Sequence, residues 1–252
     1  VVGNKATYVD LSDYLFEPEA LTGSMPDGSN LLVTVSPQSD ITGTNIINNG
    51  VCENLVLTDG ADFGTTYKFT ASKAIYMTQV NSYRTLILPF EAAVPAEFTA
   101  FKATSVEGTN VILEATTTIA ANKPVLIQGE GMLILSATDV AVTSEGKLAN
   151  GILRGVYKTT AATEDSYVLQ NQNNVVGFYH VGEVNPAIGA FRAYMVVPAS
   201  GVKAYFFNED TTGISHTTAL SEGEGVVYNL SGQRMSKMQK GVNIVNGNKI
   251  LK

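Results

Sequence analysis

The chain has 252 residues, a formal net charge of −7 and a pI of about 4.9. Nucleic-acid binding needs a basic face that neutralises phosphates, so this acidic balance argues against a nucleic-acid partner. The single cysteine, Cys52, excludes an intramolecular disulfide framework and a thiolate metal cluster, and no apolar run is long enough to predict a membrane span.

Composition already favours β-structure. Hydrophobic residues make up 44% of the chain and charged residues only 15%, so its polarity comes mainly from Thr, Asn, Ser and Gly. This usage is typical of β-rich extracellular proteins rather than of helical cytosolic enzymes. Apolar periodicity of 3.6 residues never extends beyond two turns, and the best helical candidate, Leu11–Leu21, is broken by Pro18.

Short β-branched and aromatic runs bounded by Gly, Pro or Asn follow one another along the chain. A spacing of about 8–12 residues between such runs is typical of a sandwich or barrel. The sequence therefore predicts an all-β fold, an antiparallel β-sandwich built as one large or two packed small sandwiches, with a short C-terminal β-hairpin tail. The predicted strands are Asn30–Val35, Asn54–Leu57, Tyr67–Ala71, Ala74–Val80, Thr85–Phe90, Phe98–Ala103, Asn110–Glu114, Pro124–Ile127, Met132–Leu135, Val140–Thr143, Ile152–Tyr157, Tyr167–Leu169, Val175–His180, Ala193–Val197 and Val202–Phe207.

Polar and glycine-rich loops suggest four parts. We predict an N-terminal β region over 1–64, a β-sandwich body over 65–207, an acidic linker over 208–225 and a tail over 226–252. The tail is basic, with a charge of +5 after Glu224, whereas residues 1–224 carry −12. Its apolar runs predict three short strands, the last two joined by a hairpin at Asn246-Gly247.

The tail contains Gly225-Val-Val-Tyr-Asn-Leu-Ser-Gly-Gln-Arg234, followed by Lys240-Gly-Val-Asn-Ile-Val-Asn-Gly-Asn-Lys-Ile-Leu-Lys252. These phrases resemble the C-terminal tail of many secreted and cell-surface proteins of Bacteroidetes, a type IX secretion sorting domain. The resemblance implies a secreted or outer cell-surface location and recognition of the tail by the secretion machinery. From the residues alone, the tail is equally a solvated hairpin whose lysines block strand addition.

The body carries a second resemblance, over roughly residues 40–210. It rests on the phrases Phe69–Tyr76, Tyr83–Phe90, Ile119–Ile127 and Tyr167–Tyr194. They resemble the non-repeat β region that precedes such a tail in other Bacteroidetes surface proteins, among them leucine-rich-repeat and adhesin-like proteins. The resemblance implies a surface-exposed β protein and carries no defined activity.

Catalytic signatures are sparse. A Ser-His-Asp triad requires a positioned imidazole, and the two histidines are His180, on a predicted strand, and His216, in the predicted linker. A glycoside hydrolase needs only two carboxylates about 5–9 Å apart in a cleft, so it remains the enzymatic alternative. The candidate acids, each beside a turn, are Glu114, Glu130, Asp139 and Glu145.

A calcium site is the one metal option, and no other cofactor is expected. Asp59 and Asp62 place two hard oxygen ligands on one glycine-containing loop, and Asp10 with Asp13 forms a second short pair. The structural alternative is an Asx-turn, in which each aspartate bonds nearby backbone amides. We also expect Cys52 to bind no metal.

Tyrosines supply the binding hypothesis. Of those on or beside predicted strands, Tyr76, Tyr83, Tyr179 and Tyr194 are the candidate ligand contacts of an exposed platform. The alternative for strand tyrosines is core packing or cross-strand pairing. The sequence thus favours a non-enzymatic binding or adhesion module for a host glycan or protein, with a carbohydrate-active enzyme and a structural stalk as alternatives.

Overall fold

The computed structural model describes residues 6–15, 28–65, 67–163, 165–182, 186–198 and 201–207, and the strand residues 227–228, 234–235, 242–245 and 248–251. The chain divides into two compact units, Val1–Phe207 and Asn208–Lys252. Every regular element in the described ranges is a β-strand, which confirms the all-β class. The predicted linker lies outside the described residues, as does most of the helical candidate Leu11–Leu21.

The first unit contains strands β1 to β18. Their bounds are β1 Tyr8–Leu11, β2 Leu32–Val35, β3 Ile46–Asn48, β4 Val51–Thr58, β5 Phe69–Leu86, β6 Ala92–Ala93, β7 Thr99–Glu107, β8 Asn110–Thr116, β9 Thr118–Ile119, β10 Val125–Val142, β11 Ala149–Asn150, β12 Leu153–Val156, β13 Thr160–Ala161, β14 Ser166–Gln172, β15 Val175–His180, β16 Ala187–Ile188, β17 Arg192–Val196 and β18 Ala204–Phe207.

One 14-stranded sheet frames this unit, in the order β1-β2-β3-β4-β5-β10-β7-β8-β18-β15-β14-β17-β12-β11. β1, β2 and β3 run parallel to one another, β4 is parallel to β5, and β8 is parallel to β18. The sheet is therefore mixed: most neighbouring strands pair antiparallel, as expected from the sequence, and these four pairs are parallel. Parallel neighbours need a crossover connection, and the segment between β4 and β5 supplies one, packing Phe63 into the core.

Two long strands run through the whole unit. β5 and β10 have 18 residues each and stay in one register from Phe69↔Val142 to Leu86↔Val125. The sequence predicts three short runs in place of each. The polar and glycine interruptions do not end these strands, because Ser82 and Gly129, both with positive φ, lie opposite each other and the pairing continues past them in the same register.

The predicted N-terminal region shares its core with the body. Leu32, Ile47 and Leu55 lie in one cluster with Tyr76 and Leu86, each with 0% exposure. Residues 1–64 also hold a small hydrophobic cluster of their own, formed by Val33, Val35 and Ile41. A second cluster lies around β7, β14, β15 and β17 and includes Leu126, Phe178 and Met195.

The regular pairing of β4, β5 and β10 is interrupted at matching positions of the three strands. The β4–β5 ladder skips Glu53 and Ser72, the β5–β10 ladder skips Ser72 and Asp139, and Asp139 has φ 49°. Across this interruption the buried residues of β5 are Ala71 and Ala74, three positions apart instead of two. Because side chains alternate between faces with period two, the break decides which residues of the long strands face solvent.

Two buried asparagines bind backbone groups of β4 on the side towards β2 and β3. The amide of Asn45 accepts from Val56 N (2.8 Å) and donates to Val56 O (3.0 Å). Asn30 makes the same pair of bonds with Thr58 (2.6 and 3.0 Å). These side chains satisfy strand amides that would otherwise be buried without a partner.

The second unit contains β19 Val227–Tyr228, β20 Arg234–Met235, β21 Val242–Val245 and β22 Asn248–Leu251. They form a sheet in the order β20-β19-β21-β22. The pairing Val245↔Asn248 leaves a two-residue connection between β21 and β22, as expected of the predicted hairpin. β20 was not predicted from the sequence.

Candidate functional site

The candidate tyrosines do not form a platform. Tyr76 has 0% exposure and belongs to the first core, so its assignment as a ligand contact is wrong. The cause is its phase on β5, which directs it to the buried face. Tyr194 packs against a small cluster that contains Val181 and Ile188.

Tyr83 and Tyr179 are partly buried and lie on opposite faces of the sheet. The Tyr83 ring packs on Phe207, with centroids 4.6 Å apart, and its hydroxyl accepts from Gln128 Nε2 (2.9 Å). Tyr179 instead contacts Phe206, with centroids 6.1 Å apart. Because consecutive residues of β18 point to opposite faces, the two tyrosines have no common ligand surface. Both tyrosines therefore make the cross-strand contacts that were the alternative to ligand binding.

A carboxylate bound by two arginines lies where β4 ends. Asp59 accepts from Arg192 Nη2 at both oxygens (2.6 and 2.7 Å) and from Arg84 Nη2 at Oδ2 (2.7 Å). The Tyr76 hydroxyl donates to Oδ1 (2.5 Å) and Thr78 Oγ1 to Oδ2 (2.6 Å). The three charged side chains are 18–27% exposed, so this ion-pair centre is largely shielded from water.

The centre joins β4, β5 and β17, which are distant in sequence. Burial raises the pKa of Tyr76 well above its usual value; nearby Arg192 opposes this shift and Asp59 adds to it. Arg84 Nε is buried without a hydrogen-bond partner among the described residues. Arg192 also donates from Nη1 to Tyr76 OH (3.3 Å) and to Phe191 O (3.3 Å). These contacts give the centre a role in holding the sheet together.

The candidate calcium ligands are engaged within the protein. Both Asp59 oxygens face the arginines, and Asp62 Oδ1 accepts from Thr159 N (2.8 Å). Neither forms an Asx-turn, whereas Asp10 does, accepting from Ser12 N (3.0 Å) with a lowered pKa caused by Ser12. Clusters of three or more His, Cys, Asp or Glu arranged for a metal are absent from the described residues.

Two of the candidate catalytic acids contact neighbouring groups, and two stand far apart on one strand. Glu114 is ion-paired with Lys102 (3.3 Å) and Glu130 accepts from Ser82 N (3.0 Å). Glu130 and Asp139 stand nine residues apart on β10, a separation of about 30 Å along a strand, which is too large for a glycosidase pair. Glu145 lies beyond the end of β10 and is exposed.

The remaining candidate groups are the two histidines and a surface depression. His180 packs its ring against Tyr167, with centroids 5.0 Å apart, and His216 lies outside the described residues. A depression of about 550 Å³ is lined only by Ala, Val, Pro, Phe and Thr side chains, among them Val94, Phe98 and Thr116. This lining contains neither acid nor base.

The solvent-facing side of the long strands carries an apolar surface. We define the outer patch as Val56, Ile75, Met77, Met132 and Ile134. Met77 is 47% exposed, Met132 56% and Ile134 52%, and Val56 and Ile75 are half-buried beside them. Register places Ile134 opposite Met77, and Val56 opposite Ile75, so the five side chains lie on neighbouring strands.

The opposite face of the same strands is fully buried. Leu133 and Leu135, which alternate with the patch residues on β10, have 0% exposure. The outer patch is thus the second apolar face of strands that already cover a core. The run Met132-Leu-Ile-Leu135 contains the signal for this second apolar face, because apolar residues occupy both alternating phases of the predicted strand.

The outer patch ends at an open strand edge. β10 pairs with β7 only over Leu126–Gln128 and with β5 along its whole length. From Gly131 to Thr138, no strand within the described ranges pairs with its other edge. Unpaired amide and carbonyl groups are therefore presented directly beside Met132 and Ile134.

Comparisons with known proteins give no relative: no family model, no curated protein and no solved structure matches the chain. Within the described part of the chain, helices with the length and hydropathy needed to cross a membrane are absent.

Proposed function

We propose that the chain is a secreted or cell-surface, non-enzymatic binding module that engages a protein partner through the outer patch. The observation that carries this proposal is the roughly half-exposed state of Met77, Met132 and Ile134 on adjacent strands. A contiguous exposed apolar surface rimmed by polar residues is characteristic of an interaction site, and methionine and other apolar side chains favour protein partners.

The dispersed acids and tyrosines favour a protein over a sugar ligand. Sugar binding generally uses exposed aromatic faces, and Tyr76 is buried while Tyr83 and Tyr179 lie on opposite sheet faces. Hydrolysis of a glycosidic bond requires two facing carboxylates, and Glu130 and Asp139 are about 30 Å apart along one strand. Binding to protein therefore has the stronger support.

The extracellular location rests on the tail. Its sequence resembles the type IX sorting domain of Bacteroidetes surface proteins, and its charge of +5 sets it apart from the acidic remainder. The compact unit Asn208–Lys252 is suited to act as a separate sorting signal. Deleting residues 208–252 should abolish export and leave the thermal unfolding midpoint of residues 1–207 within about 3 °C of the full chain. A fall of more than about 10 °C would contradict a separate tail.

The ligand class is tested by three parallel assays on the full chain: binding to immobilised extracellular-matrix proteins, binding to a glycan array, and release of reducing sugars from polysaccharides. We expect saturable binding to a protein, weakened at least tenfold by Met132→Lys. Val175→Lys is the matched control, because Val175 is 48% exposed on β15, outside the patch. Reducing-sugar release would overturn the non-enzymatic assignment. Binding confined to glycans would overturn the protein ligand.

A further inference from the structure

The open edge of β10 lacks the features that usually prevent strand addition. Exposed edges are commonly blocked by lysine, by proline or by inward-pointing charges. The segment Glu130–Asp139 reads Glu-Gly-Met-Leu-Ile-Leu-Ser-Ala-Thr-Asp and contains neither lysine nor proline. Its charged residues stand only at the two ends. The intervening eight residues, Gly131–Thr138, span about 26 Å, the length of an ordinary strand.

We propose that this edge accepts an extended segment of a partner polypeptide as an added strand, with apolar side chains of that segment lying on the outer patch. The inference rests on the proposed binding function and specifies the partner. Main-chain hydrogen bonds to Gly131–Thr138 would supply affinity, and contacts with Met132 and Ile134 would supply selectivity for apolar residues at alternate positions.

Charge at the ends of the edge defines the flanks of the partner segment. Glu130 and Asp139 are both exposed, and neither forms an ion pair within 4.0 Å among the described residues. Glu130 Oε2 accepts from Ser82 N (3.0 Å). Lys73 is opposite Thr138 on β5, one strand further from the edge. A segment with a basic residue at each end of its apolar stretch is therefore complementary.

The same charges disfavour a second copy of the chain as the added strand. Two β10 edges paired antiparallel about a two-fold axis at residues 134 and 135 would place Glu130 of each copy opposite Asp139 of the other. Like charges directly opposite each other across a strand pair are destabilising. A distinct basic-flanked segment meets no such repulsion.

The test uses the full chain and a blocked synthetic nonapeptide of alternating valine and threonine with lysine at both ends. Control peptides carry glutamate at both ends, or N-methyl groups on the amides of one edge and, separately, of the other. Affinity is measured by fluorescence anisotropy, and amide hydrogen exchange is measured with and without peptide. We expect saturable binding and at least tenfold slower exchange at alternate amides of Gly131–Thr138. Glutamate ends should weaken binding at least tenfold, and methylation of one edge should abolish it.

The protein variant Glu130→Gln/Asp139→Asn should reduce the preference for lysine over glutamate ends at least fivefold, and Glu114→Gln should leave it unchanged. Absence of peptide binding, or binding without slower exchange in Gly131–Thr138, would overturn the added-strand proposal while leaving the protein-binding function open to its own assays. Slower exchange that depends on protein concentration, with dimers in sedimentation, would instead identify a second copy and overturn the proposed partner.

Discussion

Met77 and Ile134 are opposite each other on β5 and β10, and both point away from the core that their neighbours Tyr76 and Leu133 help to fill. An apolar cross-strand pair on the solvent side contributes roughly 0.2–1 kcal/mol to the pairing of its two strands. Core burial is already provided by the opposite face, so the exposed pair is available for a partner.

Lysine substitutions on β10 should distinguish its exposed face from its buried face. Ile134→Lys should leave the thermal unfolding midpoint within about 3 °C of wild type, since the side chain remains in water. Leu133→Lys should unfold the first unit or lower its midpoint by more than about 10 °C, because it buries an unpaired charge in the core. Calorimetry of the two variants measures this. Equal destabilisation by both would contradict the assignment of an outer face.

Removing the carboxylate of the ion-pair centre should destabilise the first unit. Asp59→Ala leaves Arg84 and Arg192 facing each other without their shared anion, and we expect a loss of about 2–3 kcal/mol, less than for a fully buried pair because the side chains are 18–27% exposed. Urea unfolding measures the loss, with exposed Glu97→Gln as control. A loss below about 0.5 kcal/mol would show that the centre is not structural.

A matched pair of glycines tests the close approach between β7 and the turn before β12. Gly151 and Gly108 have nearly equal left-handed φ values, 55° and 57°. A Cβ at Gly151 would lie 2.1 Å from Ala103 O, whereas at Gly108 nothing lies within 4 Å. Gly108→Ala should therefore cost about 1 kcal/mol, the backbone penalty alone. Gly151→Ala should cost at least about 2 kcal/mol more; equal costs in urea unfolding would contradict the packing.

Much of the fold follows from the sequence, since β-branched runs and turn residues predict the all-β class and the tail hairpin. The length of β5 and β10 does not, because Asn81, Ser82 and Gly129 resemble strand ends, and only the facing strand shows that the pairing continues through them in one register. The ion-pair centre could not be predicted from the sequence either, because Asp59 and Arg192 are 133 positions apart. The loop that contains Asp59 by itself indicates calcium. Predicting the outer patch requires knowing which of the two alternating sets of residues on β5 and β10 faces the core.

Alkaline pH should weaken folding partly through Cys52. Burial raises the pKa of its thiol to about 11, and the unfolded value is about 8.5. The raised pKa favours the protonated thiol in the folded state. The contribution of Cys52 to the free energy of unfolding is therefore complete below pH 8.5 and is lost as pH rises to about 11. The expected loss is about 3 kcal/mol. Cys52→Ala should flatten the unfolding free energy between pH 8.5 and 10, before the buried tyrosines contribute; an unchanged slope would contradict the assignment.

Oxidation of methionine tests the outer patch most directly, because the side chains proposed to contact a partner are themselves reactive. With dilute peroxide, free protein should be oxidised at Met77 and Met132, which are 47% and 56% exposed, and not at Met195, which is 0% exposed. A saturating protein partner from the matrix panel should slow oxidation of Met77 and Met132 at least fivefold, as followed by mass spectrometry of peptides. Unchanged rates at both residues in the saturated complex would contradict the outer patch as the binding surface.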